Sequence, residues 1–219
     1  MKRVILDTSI YGRIIENNEV DLFKNLIKNK VIVYGNQLIR KELRDTPKKI
    51  KILEKEKLRN LRIYLLTLYD EIVKNHSFEI TKEMLDLAEN YYAVYRELGG
   101  GKGKESILHD FIIIACASIK KMDIVVSDDE KTMLSRNAIR AYKLVNNIQK
   151  ESIPNFINYK IMKQILRSGE LDKISDSFFK FGIFNVFLIL FPYFFTSLFF
   201  SFHNKLNVSK YIKLSMRQI

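Results

Sequence analysis

Arg3-Val4-Ile5-Leu6-Asp7-Thr8-Ser9 is the stretch on which the reading of the chain turns. Val4, Ile5 and Leu6 form a continuous apolar run without alternation, as in a strand buried on both faces of a parallel sheet. Asp7 ends that run. A carboxylate at the C-terminal edge of a buried first strand sits where open α/β sheets place their ligands, and Thr8 and Ser9 add two hydroxyls beside it. The competing reading gives Asp7 to a turn or to the cap of a helix starting near Ile10. Three later acids at equivalent places favour the ligand site.

Downstream, Ile10, Ile14 and Ile15 form a short helical stripe, and Asp21 opens a second helix. Val31-Ile32-Val33-Tyr34 reads as the next strand, broken by Gly35 and Asn36. A helix from Gln37 to Thr46-Pro47 follows it. Within that helix Glu42 follows Leu38 and Ile39 at i+4 and i+3, which puts its carboxylate on the apolar side, where it needs a partner. A long helix is expected from Lys48 to Asn75, its basic face being either solvated or a ridge for phosphates. Phe78 to Ile80 is a candidate edge strand, and Thr81 caps a helix through Leu98.

Gly99-Gly100-Gly101-Lys102-Gly103-Lys104 invites a phosphate-loop reading, which fails because a helix precedes it and Glu105 stands where Ser or Thr would hold magnesium. It reads instead as a flexible basic connection that brings Lys102 and Lys104 within reach of a nucleic-acid backbone. The helix after it, Glu105 to Lys121, carries Asp110 on one face with Ile113, Ile114 and Ala117. An ionised Asp there is expensive unless paired, by a structural salt bridge or by a ligand. Asp123-Ile124-Val125-Val126 is the fourth strand, ending at Ser127-Asp128-Asp129-Glu130. Ser127 with Glu130 also fits a capping box for a helix running from Thr132 to Ala141. Tyr142 to Val145 is a candidate fifth strand, and Ser152 with Pro154 starts a last helix reaching Leu166.

The four acids Asp7, Glu42, Asp110 and Asp129 follow strands or sit in the helices just after them, so a parallel sheet brings them to one rim. Two carboxylates about 4 Å apart repel by roughly 4 kcal/mol at an effective dielectric of 20, which calls for a cation. Oxygen donors without nearby Cys or His select Mg2+ or Mn2+ over zinc. His76, His109 and His203 form no ligand spacing. Such an ion activates a bound water and neutralises charge on a phosphoryl oxygen. With 37 Lys and Arg against 25 Asp and Glu, a net charge of +12, the chain suits a polyanionic partner, and together these features point to a phosphodiesterase acting on nucleic acid.

On these residues the chain resembles the PIN-domain ribonucleases, which include the VapC-type toxins and their stand-alone archaeal relatives. The resemblance rests on the first strand ending in Asp7-Thr8-Ser9, on Glu42 within Arg40-Lys41-Glu42-Leu43, on Asp110-Phe111-Ile112-Ile113-Ile114-Ala115-Cys116-Ala117, and on Val125-Val126-Ser127-Asp128-Asp129. It covers roughly residues 1–168. It implies a three-layer α/β/α sandwich with a central parallel sheet and a metal-dependent endoribonuclease, with an antitoxin protein and a second copy of the chain as partners. By position, Asp7, Glu42, Asp110 and Asp129 match the family's acids, with Asp128 immediately before the fourth, and the metal set is Asp7, Asp110 and Asp129 with Asp128 kept open. Ser9 and Ser127 match its site hydroxyls. A non-cleaving RNA-binding or scaffold module of the same fold is the alternative. A small-molecule phosphatase is disfavoured, because Ser9 stands where a second Asp is wanted. A dinucleotide enzyme is disfavoured too, because no glycine-rich turn follows the first strand.

Cys116 is alone, so neither a disulfide nor a thiolate zinc site can be built, and it reads as a small core residue of a reducing, cytoplasmic compartment. Only Val4 to Leu6 stand between Lys2-Arg3 and Asp7, too short a run for a signal-peptide core, so the N-terminus is expected to stay inside. After a domain spanning 1–168 and a linker at 169–180, residues 181–202 run for 22 residues without a charge, about 33 Å as a helix. Eleven of the 15 phenylalanines lie between Phe178 and Phe202. The run reads as a membrane anchor, a partner-binding or dimer segment, or a non-native tail from a shifted frame. A basic tail at 203–219 follows.

Overall fold

The apolar run Val4-Ile5-Leu6 is fully buried and forms the end of β1 (Lys2–Leu6), the middle strand of a five-stranded parallel sheet. The computed structural model describes residues 1–169 other than 29, 55 and 56, and the backbone alone at 53, 54 and 57–59. The linker from 170, the apolar run 181–202 and the basic tail 203–219 lie outside the described residues. Among the described residues no helix is long and apolar enough to cross a membrane.

After β1 come α1 (Thr8–Glu16), α2 (Val20–Ile27), β2 (Val31–Asn36) and α3 (Gln37–Asp45). A hairpin of β3 (Lys51–Glu54) and β4 (Lys57–Asn60) leads into α4 (Leu61–Val73) and β5 (Ser77–Phe78). Two long helices follow, α5 (Lys82–Glu97) and α6 (Lys104–Ile119), then β6 (Ile124–Val126), α7 (Arg136–Gln149), β7 (Asn155–Ile157) and α8 (Tyr159–Ser168). The sheet order is β5-β2-β1-β6-β7, with every neighbouring pair parallel.

This is an α/β fold, and its order follows from right-handed crossovers: stepping from β1 to β2 to β5 puts α1–α4 on one face, and returning to β6 and β7 puts α5–α7 on the other. The packing agrees, since α5 lies against α6 and α7, and α4 against α1 and α3. An arrangement of this kind is compatible with a three-layer sandwich. Strands are added on one side of β1 as far as β5 and on the other side from β6 onward, which makes the crevice beyond the ends of β1 and β6 the topological switch point.

Val4, Ile5, Leu6, Ile124, Val125 and Val126 are all at most 1% exposed, and each such side chain contributes about 1.5–3 kcal/mol on burial. The helix α6 is apolar all round from Phe111 to Ala117 and is buried throughout that stretch, as expected of a helix enclosed by others. Cys116 lies in it, buried and unpaired.

Five local expectations fail, each for a visible reason. The long helix from Lys48 is instead the β3–β4 hairpin followed by α4, in keeping with the alternation Lys49-Ile50-Lys51-Ile52 and with Asn60, whose side chain caps α4 by accepting from the Ile63 amide at 3.3 Å. The capping box at Ser127 does not form, because α7 begins at Arg136 under a Ser135 cap. Tyr142 to Val145 lie inside α7, where Tyr142 and Val145 are buried on one face with Ala138 and Ala141. The fifth strand is Asn155–Ile157, and α8 starts after it, capped by Asn158 through the Ile161 amide at 2.9 Å. The glycine connection before α6 is also tied down: Lys102 N donates to the Tyr95 hydroxyl at 3.2 Å, and a Cβ on Gly100 would stand 2.3 Å from the Tyr95 ring.

The layer of α5, α6 and α7 is locked by polar groups in an apolar setting. Tyr91 donates to Asn146 Oδ1 (2.5 Å), and Asn146 Nδ2 donates to Ser118 Oγ (2.9 Å) and to the Ser152 carbonyl (2.8 Å). Asn146 and Ser118 are wholly buried, so removing one member strands the others. Asn146→Ala is expected to lower the free energy of unfolding by about 2–4 kcal/mol, while Lys143→Ala, on the exposed face of the same helix, changes it by less than about 0.5 kcal/mol, both read from urea denaturation.

Candidate functional site

Asp7 stands at the N-cap position of α1, and its carbonyl accepts from the Ile10 amide at 3.0 Å, yet its carboxylate makes no capping bond. The residue is 5% exposed, and its carboxylate accepts instead from Ser9 Oγ (2.7 Å) and Ser127 Oγ (2.9 Å) on Oδ2, with Thr8 Oγ1 3.2 Å from Oδ1. Turning a capping side chain away from the helix forgoes about 1 kcal/mol. The parallel register Leu6↔Val126 sets β6 beside β1, so the Ser127-Asp128-Asp129 loop leaves its strand next to Asp7.

Glu42 is brought in by α3. Asn36 at the end of β2 caps that helix, accepting from the Leu38 and Ile39 amides at 3.0 Å, while Ile39 and Leu43 bury its inner face. Glu42 Oε2 lies 3.0 Å from the same Thr8 Oγ1, whose single hydrogen serves either Asp7 or Glu42, and Oε1 lies 3.2 Å from His109 Nδ1. Burial pushes the Glu42 carboxyl above the usual range, with the Asp7 charge adding to it and Thr8 and His109 opposing it.

Asp110 enters one residue after His109 on α6. Thr132 Oγ1 donates to Asp110 Oδ2 and also lies in bonding distance of Asp129 Oδ2. Burial, first, and the charges of Asp7, Asp129 and Glu42, second, push the Asp110 carboxyl up to about 7 in spite of the Thr132 bond. Asp129 is held by a tight turn in which Oδ1 accepts from the Lys131 and Thr132 amides at 2.9 Å, and its own amide donates to Ser127 Oγ at 3.0 Å.

The four acids therefore belong to one network, joined by Thr8, Ser127 and Thr132. Among the described residues no lysine, arginine or histidine pairs with Asp7, Asp110 or Asp129, whereas Glu42 has His109. Asp128 stands apart. Its Oδ2 meets Arg13 Nε at 3.1 Å and its Oδ1 accepts from the Tyr159 amide at 2.9 Å, so both oxygens are engaged away from the cluster. Lys104 pairs with Glu89 at 2.7 Å, and Lys102 is exposed on the same glycine-rich turn.

Thr132 and His109 were not legible as site members. Thr132 follows Asp129 by three residues, the spacing of an Asx-type turn, which is a signal for the turn but not for the bridge to Asp110.

As the side chains stand, no three His, Cys, Asp or Glu among the described residues form a ready-made coordination sphere. The donor set itself fits a hard cation. It is all oxygen, it holds excess negative charge, and it contains a carboxyl that burial keeps protonated until about pH 7.

No family model matches the chain, and no curated protein matches it. The charge state of Asp110 provides a direct measurement of the site. In the folded chain this carboxyl holds its proton up to about pH 7, while the unfolded one ionises near ~3.9, so its contribution to stability is fully present below pH ~4 and is lost as pH rises to about 7. Asp110→Asn removes that loss. Thermal unfolding in chelator is expected to show the variant equal to wild type near pH ~4 and more stable by about 1–3 kcal/mol at pH ~8.

Proposed function

We propose that the chain is a Mg2+- or Mn2+-dependent endoribonuclease of the PIN type, with an α/β/α sandwich carrying its acids at the switch point of the sheet. The observation that supports this most is the network of Asp7, Glu42, Asp110 and Asp129 at the strand ends, three of them without a cationic partner among the described residues. The positive charge lies elsewhere, in a chain of net charge +12. A basic body around an acidic pocket suits a polyanion that is drawn in by the surface and cut in the pocket.

Asp7, Asp110 and Asp129 are the residues that hold the ion in this proposal, and Asp128 is left out because a cation of the chain, Arg13, already pairs with it. When bound, a divalent ion supplies a Lewis acid for a phosphoryl oxygen and lowers the pKa of a water molecule. The chain's own residues do the rest. Ser9, Ser127 and Thr8 fix the orientation of the Asp7 carboxylate, and Thr132 fixes Asp110 against Asp129. Glu42, with its raised pKa and with His109 Nδ1 beside Oε1, accepts the proton released when water attacks the phosphate.

The test uses the full chain with single-stranded RNA of mixed sequence. Internal cleavage is expected with Mn2+ or Mg2+ and not in excess chelator. Asp7→Asn and Asp110→Asn are expected to lower the rate by about 100-fold or more while circular dichroism stays that of the wild type. Undiminished cleavage by both folded variants refutes the proposal. RNA binding that persists in chelator with no cleavage under any metal assigns the fold to the non-cleaving, RNA-binding alternative.

A further inference from the structure

Two of the four acids have donors to themselves: Asp7 Oδ2 accepts from Ser9 and Ser127, and Asp129 Oδ1 from the Lys131 and Thr132 amides. Asp110 and Glu42 each depend on a threonine hydroxyl shared with one of those two, Thr132 with Asp129 and Thr8 with Asp7. The Thr8 hydroxyl lies 3.0 Å from Glu42 Oε2 and 3.2 Å from Asp7 Oδ1, and it has one hydrogen to give. When that hydrogen goes to Asp7, His109 Nδ1, 3.2 Å from Oε1, is the donor that Glu42 retains among the described residues.

The fold holds His109 in this place. A helix turns by about 100° per residue, so the neighbours His109 and Asp110 leave α6 in different directions, Asp110 to Thr132 beside Asp129 and His109 to Glu42 on α3. Ile107 and the run Phe111 to Ala117 are buried, which fixes the rotation of the helix and keeps the two from changing places. An imidazole N–H lies in the plane of its ring and cannot swing to a second acceptor as a hydroxyl can. Beside a carboxylate oxygen Nδ1 carries the hydrogen, which leaves Nε2 of the neutral ring as an acceptor. The His109 side chain is 53% exposed, so burial gives the fold little reason for it, and the bond to Glu42 is its one polar contact among the described residues.

We propose that His109, in its Nδ1–H tautomer, is a positioning residue that occupies Oε1 of Glu42 and so presents Oε2, on the Asp7 side, as the oxygen that receives the proton of the attacking water. The proposal rests on the ribonuclease reading for the reaction, and on the hydrogen bond for the role of His109. Water forms the new bond to phosphorus, its proton passes to Oε2, and the bonding pair of the broken P–O link leaves with the ribose oxygen, which takes a proton from solvent. A glutamate carboxylate swings over a broad range about its last torsion. Held only by a hydroxyl that Asp7 also attracts, it spends part of its time turned from the reacting water. Pinned at Oε1, it does not. Proton transfer needs an acceptor within hydrogen-bond reach, so loss of the pin falls on the chemical step and not on the binding of RNA or metal.

Three variants of the full chain separate the position of the donor from charge and bulk. In His109→Asn the amide nitrogen is bonded to Cγ, as Nδ1 is, and keeps a donor where Glu42 needs it; in His109→Gln it lies one bond farther out, and His109→Leu has none. With Mn2+ and single-stranded RNA, kcat is expected to fall about tenfold in the Leu and Gln variants and to stay within about threefold of wild type in the Asn variant. KM and the Mn2+ concentration for half activity are expected to stay within about twofold throughout. An unchanged kcat in the Leu variant, an Asn variant as slow as the Leu variant, or a loss confined to KM overturns the proposal. The tautomer is read without any reaction, from the His109 ring nitrogen signals by NMR in chelator at pH ~9, where an imidazole carries one hydrogen. That hydrogen is expected on Nδ1, and finding it on Nε2 overturns the proposal. A wild type that cleaves no RNA removes the nuclease reading, while the ring signals still decide whether His109 holds Glu42.

Discussion

Repulsion among carboxylates is the constraint around which the described part of this molecule is arranged. At about 4 Å two of them repel by roughly 4 kcal/mol at an effective dielectric of 20, and no cationic side chain among the described residues offsets this at Asp7, Asp110 or Asp129. The chain relieves the repulsion in two ways. Hydroxyls from Thr8, Ser9, Ser127 and Thr132 donate into the cluster, and burial keeps one carboxyl protonated. The two are connected at Thr132. A hydroxyl has a single hydrogen, so Thr132 Oγ1 can donate to Asp110 or to Asp129 but not to both, and the second contact is satisfied when the acid carries its own proton. Asp110, pushed up to about 7, is the group able to do so.

The same constraint accounts for the central place of β1. A cluster drawn from four separated segments needs a scaffold that returns each of them to one rim, and a parallel sheet does this because every strand ends on the same side. The ends of β1 and β6 adjoin through the register Leu6↔Val126, which brings Asp7 and Ser127 together without any long loop. The glutamate arrives from the next strand over, by way of the Asn36 cap on α3. What the wholly buried strand centre contributes is rigidity. Val4, Ile5, Leu6 and their β6 neighbours leave Asp7 no freedom to withdraw toward solvent.

Much of this was legible in the residues. The unalternating run before Asp7 announced a strand buried on both faces, and the Asp110 face of α6 announced an acid that needs an explanation. What was hidden had local causes. The stretch from Lys48 has enough leucine, isoleucine and lysine to suit a helix, and only the short alternation at Lys49-Ile50-Lys51-Ile52 and the Asn60 cap betray the hairpin. Ser127 carries the sequence mark of a capping residue, but its oxygen is already committed to Asp7 and to the Asp129 amide, so the cap passes to Ser135. Tyr142 to Val145 has the β-favouring composition of a strand. It is helical because Ala138, Ala141, Tyr142 and Val145 share a face that packs against α5.

Adjacent identical residues defeat a reading by type altogether, and Asp128 with Asp129 is the instructive case. Successive side chains leaving a strand point to opposite sides, so the two carboxylates cannot both enter the cluster. Asp128 turns to Arg13, at 3.1 Å, and to the Tyr159 amide. Arg13 lies on α1, whose first turn carries Thr8 and Ser9, and its guanidinium goes to Asp128. One acid of the tandem thus takes the neighbouring cation, while the other stays among the carboxylates without a cationic partner among the described residues.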